Sequence, residues 1–307
     1  MNKYIEFSKE VKEAISNNLP IVALETTILS HGMPYPTNLE VAHKCEEIIR
    51  SNGCVPATIA VIEGKIKIGL TEDELEFMAK SKDILKLSRR DLPHCIALKL
   101  NGATTVAATM IIAQMANIRF FATGGIGGVH RDVEHTLDIS ADLEELAKTN
   151  VNVICAGAKS ILDLDKTMEY LETKGVLVVG YKTSELSAFF TNKSGIEVPL
   201  RIDDVDDMVS IIKTQEELGY NQGILITNPI SDKYSLPKDK IDKAIEEALI
   251  KMKELNITGK KVTPFLLSEI NNITKGISLE ANQHLVYSNC DLASKLAYKY
   301  NQLKKAI

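Results

Sequence analysis

The chain has 307 residues, of which 45% are hydrophobic and 25% charged, and its formal net charge is −5. This balance is typical of a globular protein with a sizeable core. Only 5% of the residues are aromatic, there is no Trp, and no long basic block occurs, which argues against a nucleic-acid-binding surface. No apolar run approaches the ~20 residues of a membrane span, and the charged amino-terminal segment lacks the apolar core of a signal peptide. The five scattered cysteines have no CxxC spacing, so we expect a soluble, cytoplasmic protein without structural zinc or disulfides.

Short β-branched segments alternate with amphipathic helical patterns along the chain. The predicted strands are residues 21–24, 58–62, 67–70, 118–122, 151–155, 176–180 and 224–227. These strands are almost entirely apolar, as expected when helices cover both faces of a sheet. The alternation predicts one α/β domain over residues 1–307, with three α/β/α layers around a central mixed, largely parallel sheet.

Several helices carry recognisable end signals. Thr71 with Glu74 forms a capping-box pattern, and Pro237 stands near the start of a strongly periodic amphipathic segment. The charged residues 194–207 and the segment 228–237 look like loops that leave the core. Neither is convincing as a domain boundary.

Two stretches of small residues are candidates for binding a phosphate. Residues 124–131 read GGIGGVHR directly after a predicted strand, and exposed N–H groups in such a loop can form an anion-binding nest. A tight structural turn is an equally good explanation, and the G-x-G-x-x-G spacing of dinucleotide-binding loops is absent. Residues 102–108 read GATTVAA and open an apolar helix, whose free N–H groups favour phosphate. Close packing of a buried helix explains that pattern at least as well.

Lys159 is a candidate nucleophile. It follows the predicted strand 151–155 at its carboxyl end, the edge at which open α/β sheets hold their ligands. The preceding residues 156–158 are Ala, Gly and Ala, which leave the side chain little water. Desolvation favours the neutral form of an amine, and a neutral lysine can attack a carbonyl-like carbon to form a Schiff base. The alternative is an ordinary solvated lysine, which is far more common.

Carboxylates are candidates at two further places. Glu25 directly follows the predicted strand 21–24, where a carboxyl group is poorly placed for solvent and suits general-acid chemistry. A helix cap or a buried ion pair is the structural alternative. Asp138, Ser140 and Asp142 alternate in the chain, and together they can hold a divalent cation through water or bind a sugar hydroxyl. Helix capping by Ser140 or Asp142 explains the same residues.

Nine segments of the chain together resemble the pseudouridine-5′-phosphate glycosidases. In order they are ALETTILSHGMPYPTN, KLSRRDLP, GATTVAATM, FATGGIGGVHR, DISADLEELA, VICAGAKSILD, GYKTSELSAFF, GKKVTPFLL and SLEANQHLV. They extend from about residue 20 to residue 290 and so cover nearly the whole chain. The resemblance implies an indigoidine synthase A-like fold and an enzyme of pseudouridine catabolism. Its expected reaction cleaves the C–C glycosidic bond of pseudouridine 5′-phosphate to give uracil and ribose 5-phosphate.

The resemblance also implies roles for individual residues. Lys159 would be the nucleophile that attacks C1′ of the opened ribose, and Glu25 the proton donor. Asp138 would be associated with a divalent cation, typically Mn²⁺. The substrate-binding residues would be Lys86, Thr105, Val106, His130, Ser140, Ala141, Asp142 and Asn282, with the phosphate at Lys86 and at the backbone of Val106. A homotrimer is implied as well.

The chain departs from the family pattern in two places. Asp132 follows the His-Arg pair where the family usually has glycine, and we expect its carboxylate to point away from the phosphate pocket. Gln283 and His284 replace the more apolar residues usual after Asn282. Neither departure removes a predicted catalytic group.

Four other functions account for part of the pattern. A sugar or nucleoside kinase shares the glycine-containing loop and the layered fold, but it does not need a lysine at a strand end. A Schiff-base aldolase uses a lysine in that position. A sugar-phosphate-binding regulator would retain the fold, but Lys159, Glu25 and Asp138 are all present, as an enzyme requires. A relative that acts in pigment biosynthesis would retain the fold too and stays open as an alternative.

Overall fold

The computed structural model describes residues 2–305, which form eleven strands and twelve α-helices. The strands are β1 (Ile5–Phe7), β2 (Ile21–Leu24), β3 (Val55–Ile62), β4 (Lys65–Ile68), β5 (Leu85–Leu87), β6 (Gly102–Thr104), β7 (Phe120–Ala122), β8 (Asn152–Cys155), β9 (Val178–Tyr181), β10 (Leu200–Ile202) and β11 (Leu225–Thr227). The helices are α1 (Lys9–Ser16), α2 (Thr37–Ser51), α3 (Glu72–Lys80), α4 (Leu92–Ala97), α5 (Val106–Met115), α6 (Val133–Thr136), α7 (Ala141–Leu146), α8 (Leu164–Thr173), α9 (Val205–Glu217), α10 (Lys238–Glu254), α11 (Val262–Ile273) and α12 (Ile277–Lys305).

One continuous sheet forms the centre of the protein. Its main path runs β1-β4-β3-β2-β7-β8-β11-β9-β10, and β6 adds to β3 and carries β5. The pairs β3–β4 and β3–β6 are antiparallel, and the other pairs are parallel. Helices flank this sheet, so the predicted three-layer α/β/α class with a mixed, largely parallel sheet is confirmed.

All seven predicted strands exist, with bounds shifted by up to three residues. Four strands were missed, namely β1, β5, β6 and β10. Three of them have a charged residue at their centre, and β6 consists of Gly, Ala and Thr, so none reads as an apolar run. Residues 102–104, which the sequence analysis placed in a stretch of small residues at the start of a helix, form β6. Residues 194–207 were predicted to be a loop, yet they contain β10 and the start of α9.

The predicted helix signals are confirmed. The N–H of Glu74 donates to the Thr71 hydroxyl at 3.3 Å, and the Thr71 N–H donates to the Glu74 carboxylate at 2.9 Å. Pro237 is the residue that immediately precedes α10. Residues 228–237 contain no regular element, as predicted. No helix within residues 2–305 is both long and apolar enough to cross a membrane.

The sheet brings several chain segments to one edge. β2, β7 and β8 are neighbouring parallel strands, so the residues after them emerge on the same side. β6 reaches that side by a different route, because it runs antiparallel to the far end of β3. The Thr27 hydroxyl donates to the Thr104 carbonyl at 2.8 Å and fixes the end of β6 beside the end of β2. Helix α5 therefore begins at the edge where β2, β7 and β8 end.

Candidate active site

A cavity of about 480 Å³ opens at this edge of the sheet. Every residue that the sequence predicted for the site lines it: Glu25, Lys86, Thr105, Val106, His130, Asp138, Ser140, Ala141, Asp142, Lys159 and Asn282. These residues come from segments spread over most of the chain. The fold therefore gathers the predicted residues into one pocket, while their individual roles stay predictions.

Lys159 is half-buried and is fixed to the glycine loop on the neighbouring strand. Its amine donates to the Gly125 carbonyl oxygen at 2.6 Å, and its backbone N–H donates to the Ile126 carbonyl at 3.1 Å. Just before it, Gly157 has φ +82°, and a Cβ at that position would lie 1.8 Å from the Ser187 carbonyl oxygen. Only glycine fits there, so the turn that presents Lys159 is rigidly specified.

Glu25 projects into the cavity directly after β2. Burial raises the pKa of its carboxyl group above the ordinary value, opposed by the charge of Lys159 and by the hydrogen bond from the Thr123 hydroxyl. The protonated form is therefore retained to higher pH than in a solvated glutamate. This environment suits a proton donor and does not resemble a helix cap.

The glycine loop does not form the predicted anion nest along its whole length. The N–H groups of Ile126, Gly127 and Val129 donate to protein acceptors at 2.8–3.1 Å. A Cβ at Gly125 would lie 2.6 Å from the Phe189 ring, and one at Gly127 would lie 2.2 Å from the Ser140 hydroxyl. Close packing is thus the main reason for these glycines.

Asp142 joins two parts of the pocket wall. Its carboxylate accepts the N–H of Ala107, in the first turn of α5, at 2.9 Å and the N–H of Gly127 at 2.8 Å. Ser140 caps α7, and its hydroxyl accepts the Asp142 N–H at 3.2 Å. The capping explanation is therefore correct for Ser140, whereas Asp142 uses both carboxylate oxygens to hold main chain.

The cavity wall near the start of α5 carries a cationic side chain. Lys86, on β5, forms no ion pair with any residue that the structure describes, and its pKa is lowered by burial and by the charge of Lys159. The Ala107 N–H is taken by Asp142 and the Ala108 N–H by the Thr105 hydroxyl at 3.4 Å. The Val106 N–H thus remains available at this helix start, consistent with the predicted phosphate contact through its backbone.

Asp138 and His130 face each other at the rim of the cavity. The His130 Nδ1 and an Asp138 carboxylate oxygen are 3.9 Å apart, and burial lowers the pKa of His130 against the influence of that carboxylate. Within residues 2–305, no group of three His, Cys, Asp or Glu side chains is arranged to hold a metal ion. The single carboxylate, 44% exposed, fits a Mn²⁺ or Mg²⁺ that keeps most of its water, but not a closed protein cage.

Two buried polar atoms in the pocket wall have no hydrogen-bond partner among the described residues: Asn282 Oδ1 and His31 Nε2. Unsatisfied buried polar atoms in a cavity wall are candidates for contact with a ligand. Asn282 was predicted to bind substrate, whereas His31 was not predicted at all. Burial and the charge of Lys86 lower the pKa of His31 and favour its neutral form.

Three cationic residues of the pocket were also missed: Arg89, Arg90 and Lys260. Lys260 donates to the Lys86 carbonyl oxygen at 3.1 Å and pairs with Asp91 at 2.7 Å. The residue lies far from Lys86 in the chain, and no local pattern connects the two. The segment GKKVTPFLL, which contains Lys260, contributed to the family resemblance but was not predicted to line the site.

The departures from the family pattern lie outside the cavity lining. Asp132 is exposed and pairs with Lys253 at 2.6 Å, so its predicted outward orientation is confirmed. It has φ +63°, a conformation that glycine adopts freely and Asp tolerates. His284 stacks on Tyr234, with ring centroids 3.5 Å apart.

The fold and the pocket define a class: a three-layer α/β enzyme whose lysine and protonatable carboxyl group face one small-molecule cavity. The chain belongs to the indigoidine synthase A-like family, whose sequence pattern, described as indigoidine synthase A like protein, matches residues 10–299.

Curated relatives support this membership. The chain is 59% identical over 300 residues to a pseudouridine-5′-phosphate glycosidase of Petrotoga mobilis, with 98% of each chain covered. It is 57% identical to proteins of the same name from Caldanaerobacter subterraneus and Staphylococcus aureus, with 99% of each chain covered.

Solved structures agree with the fold. The prealnumycin C-glycosynthase crystallised with ribulose 5-phosphate superimposes with a TM-score of 0.92 at 36% identity, covering 100% of both chains. An indigoidine synthase A-like protein of Thermotoga maritima gives a TM-score of 0.89 at 36% identity, covering 97% of this chain and 96% of the other.

Proposed function

We propose that this protein cleaves the C–C glycosidic bond of pseudouridine 5′-phosphate to give uracil and ribose 5-phosphate. The observation that carries the proposal is the meeting of Lys159, Glu25 and the unpaired Lys86 in one cavity. The family and the names of relatives at 57–59% identity support the same substrate.

The difficulty of the reaction is that uracil must leave as a carbon. Ring opening breaks the C1′–O4′ bond, and O4′ takes up a proton. The amine of Lys159 then forms a bond to C1′ and loses a proton. As the nitrogen lone pair forms the C1′=N iminium, the C1′–C5 electron pair passes to uracil C5, which takes up a proton. Water adds to the iminium, releases ribose 5-phosphate and restores the amine.

Glu25 supplies and accepts the protons of this sequence. Its raised pKa keeps a proton available for O4′ or for the departing C5. The Thr123 hydroxyl that donates to one carboxyl oxygen fixes the orientation of the group. A solvated carboxylate at this place would be ionised and could not donate.

The phosphate group anchors the substrate. The Lys86 ammonium and the Val106 N–H provide the charge and the donor that a phosphate prefers. Binding energy from the phosphate holds the opened sugar within reach of Lys159. Unphosphorylated pseudouridine should therefore be turned over poorly.

A divalent cation, Mn²⁺ or Mg²⁺, completes the proposal. Asp138 would hold it, mostly through water, and the ion would offset the negative charge of the phosphate. A thermal unfolding assay tests its binding: Mn²⁺ should raise the thermal midpoint of the wild type, and Asp138→Asn should abolish this rise. The homotrimer is a proposal from the family resemblance, and light scattering tests it. The cytoplasmic location is a proposal from the amino-terminal sequence and the cysteine pattern.

The decisive experiment traps the covalent adduct. The protein is incubated with ribose 5-phosphate, reduced with borohydride and measured by intact mass spectrometry. We expect one added pentose phosphate on the wild type and none on Lys159→Ala. A parallel assay must show uracil release from the nucleotide without ATP; a requirement for ATP would indicate a kinase, and cleavage of pentose phosphate without uracil release an aldolase.

A further inference from the structure

Asn289, on α12, is fully buried and lies outside the cavity lining. Its amide nitrogen donates to the Thr123 carbonyl oxygen at 2.7 Å and approaches the Gly124 carbonyl oxygen at 3.5 Å. Its amide oxygen accepts from the Asn228 amide at 3.1 Å. The long helix α12 is thus hydrogen-bonded through Asn289 to the main chain that follows β7.

The main chain held by Asn289 carries two groups that contact the proposed reacting residues. The hydroxyl of Thr123 donates to Glu25, and the carbonyl of Gly125, one residue further along than Gly124, accepts from Lys159 at 2.6 Å. A shift of this main chain would therefore move both contacts together. Misplacement by about 1 Å costs an enzyme on the order of 10²-fold in rate.

Asn228, the hydrogen-bond partner of Asn289, is held in place by further hydrogen bonds. Asn228 follows β11, and its backbone N–H donates to the Cys155 carbonyl at the end of β8 at 2.8 Å. Its side chain also donates to the Ser288 hydroxyl at 2.9 Å. Asn289 consequently ties the ends of β7, β8 and β11 to one helix.

We infer that Asn289 is a positioning residue for the reaction, and this inference rests on the proposed function. It holds the main chain at Thr123 and Gly124 so that the Thr123 hydroxyl stays on Glu25 and the Gly125 carbonyl stays on Lys159. It touches neither the substrate nor the reacting atoms.

Loss of this support has a measurable signature. The charged groups around Glu25 are Lys159, Asp142 and Lys86, none of which contacts Asn289 through a hydrogen bond. The Thr123 hydrogen bond lowers the pKa of Glu25. When that bond loosens, the pKa of Glu25 rises, and the pH at which activity is lost by deprotonation moves upward.

Asn152 provides the matched control. It is 1% exposed on β8, its amide donates to the Arg119 carbonyl at 3.3 Å, and its oxygen accepts the Ile224 N–H at 3.3 Å. It is thus a buried asparagine that bonds main chain at the opposite edge of the same sheet. A purely structural effect should be shared by both positions.

The experiment compares Asn289→Leu with Asn152→Leu, each checked for folding by circular dichroism. We expect Asn289→Leu to lower kcat by about 10- to 100-fold, to change KM by less than about threefold and to shift the alkaline limb of the profile to higher pH. Asn152→Leu should lower the thermal midpoint and leave both kcat and the alkaline limb of the pH profile unchanged. If Asn289→Leu does not fold, Asn289→Ser carries the same expectation, because its side chain is too short to reach Thr123.

Equal kinetic losses in the two asparagine variants would overturn the inference, as would an unchanged limb in the Asn289 variant. A ¹³C NMR titration of the Glu25 carboxyl group makes the same comparison without turnover. If the wild type releases no uracil, the proposed function fails, and the titration still decides whether Asn289 controls Glu25.

Discussion

The amine of Lys159 donates to the carbonyl oxygen of Gly125 at 2.6 Å, so the proposed nucleophile is held by main chain. The same contact aims the lysine across the cavity. In the proposed reaction, the amine would exchange this hydrogen bond for the bond to C1′.

Replacing Lys159 should remove the proposed nucleophile without disturbing the fold. Lys159→Ala should lower kcat for uracil release by at least about 10³-fold. The thermal midpoint should change little, because the side chain makes one hydrogen bond to main chain. Lys182→Ala, at an exposed lysine, is the control and should retain full activity. Substantial uracil release by Lys159→Ala would show that another group attacks.

Glu25→Gln should abolish the proton donor while keeping the shape of the site. We expect kcat to fall by about 10²- to 10⁴-fold and the alkaline limb of the pH profile to disappear. If the alkaline limb persists in Glu25→Gln, the group that titrates there is another residue. The assay is uracil release across the pH range in which the wild type is folded.

The same substitution has an effect on stability. The pKa of Glu25 is raised in the folded protein, so the folded state binds more protons than the unfolded state, and stability falls as pH rises from about 4.5 through the raised pKa. Glu25→Gln removes this loss. The thermal midpoint of the variant should therefore rise above that of the wild type as the pH is raised. At pH 4 the variant should show no such gain. A constant difference at all pH values would contradict the argument.

Lys86→Met should weaken binding of the phosphate. Loss of one charge-assisted hydrogen bond corresponds to about 1.5–3 kcal/mol, or roughly a 10- to 150-fold rise in KM. The effect should be much smaller with unphosphorylated pseudouridine, which has no phosphate to lose. Lys82→Met is the matched control, since Lys82 is exposed and absent from the cavity lining. Equal effects on nucleotide and nucleoside would remove Lys86 from the phosphate site.

Asp142→Asn tests the bridge between α5 and the glycine loop. An amide offers one acceptor oxygen, so either the Ala107 or the Gly127 N–H loses its partner. A buried unpaired donor costs about 1–3 kcal/mol, which urea unfolding measures directly. Asp138→Asn, at a rim carboxylate, should leave the free energy of unfolding unchanged in the absence of metal. Equal destabilisation by both changes would argue against the bridge.

Local sequence patterns made Lys159 and Glu25 candidates, whereas Lys86 and Asn282 were named only through the family resemblance. Lys159 and Glu25 follow apolar strands with small or polar neighbours, and that arrangement is visible without the fold. The bridge made by Asp142 was not predictable, because its two partners lie 35 and 15 residues away in the chain. Lys260 was missed for the same reason, since it reaches Lys86 over 174 residues.

Strand β3 links two sides of the pocket. Residues Val55–Thr58 pair with β2, which ends immediately before Glu25, and Ala60 and Val61 pair with β6, which leads to α5. Because successive side chains of a strand point to opposite faces of a sheet, a slip of β6 by one residue along β3 would turn its side chains to the other face. The same slip would displace the start of α5 by about 3.3 Å from the end of β2.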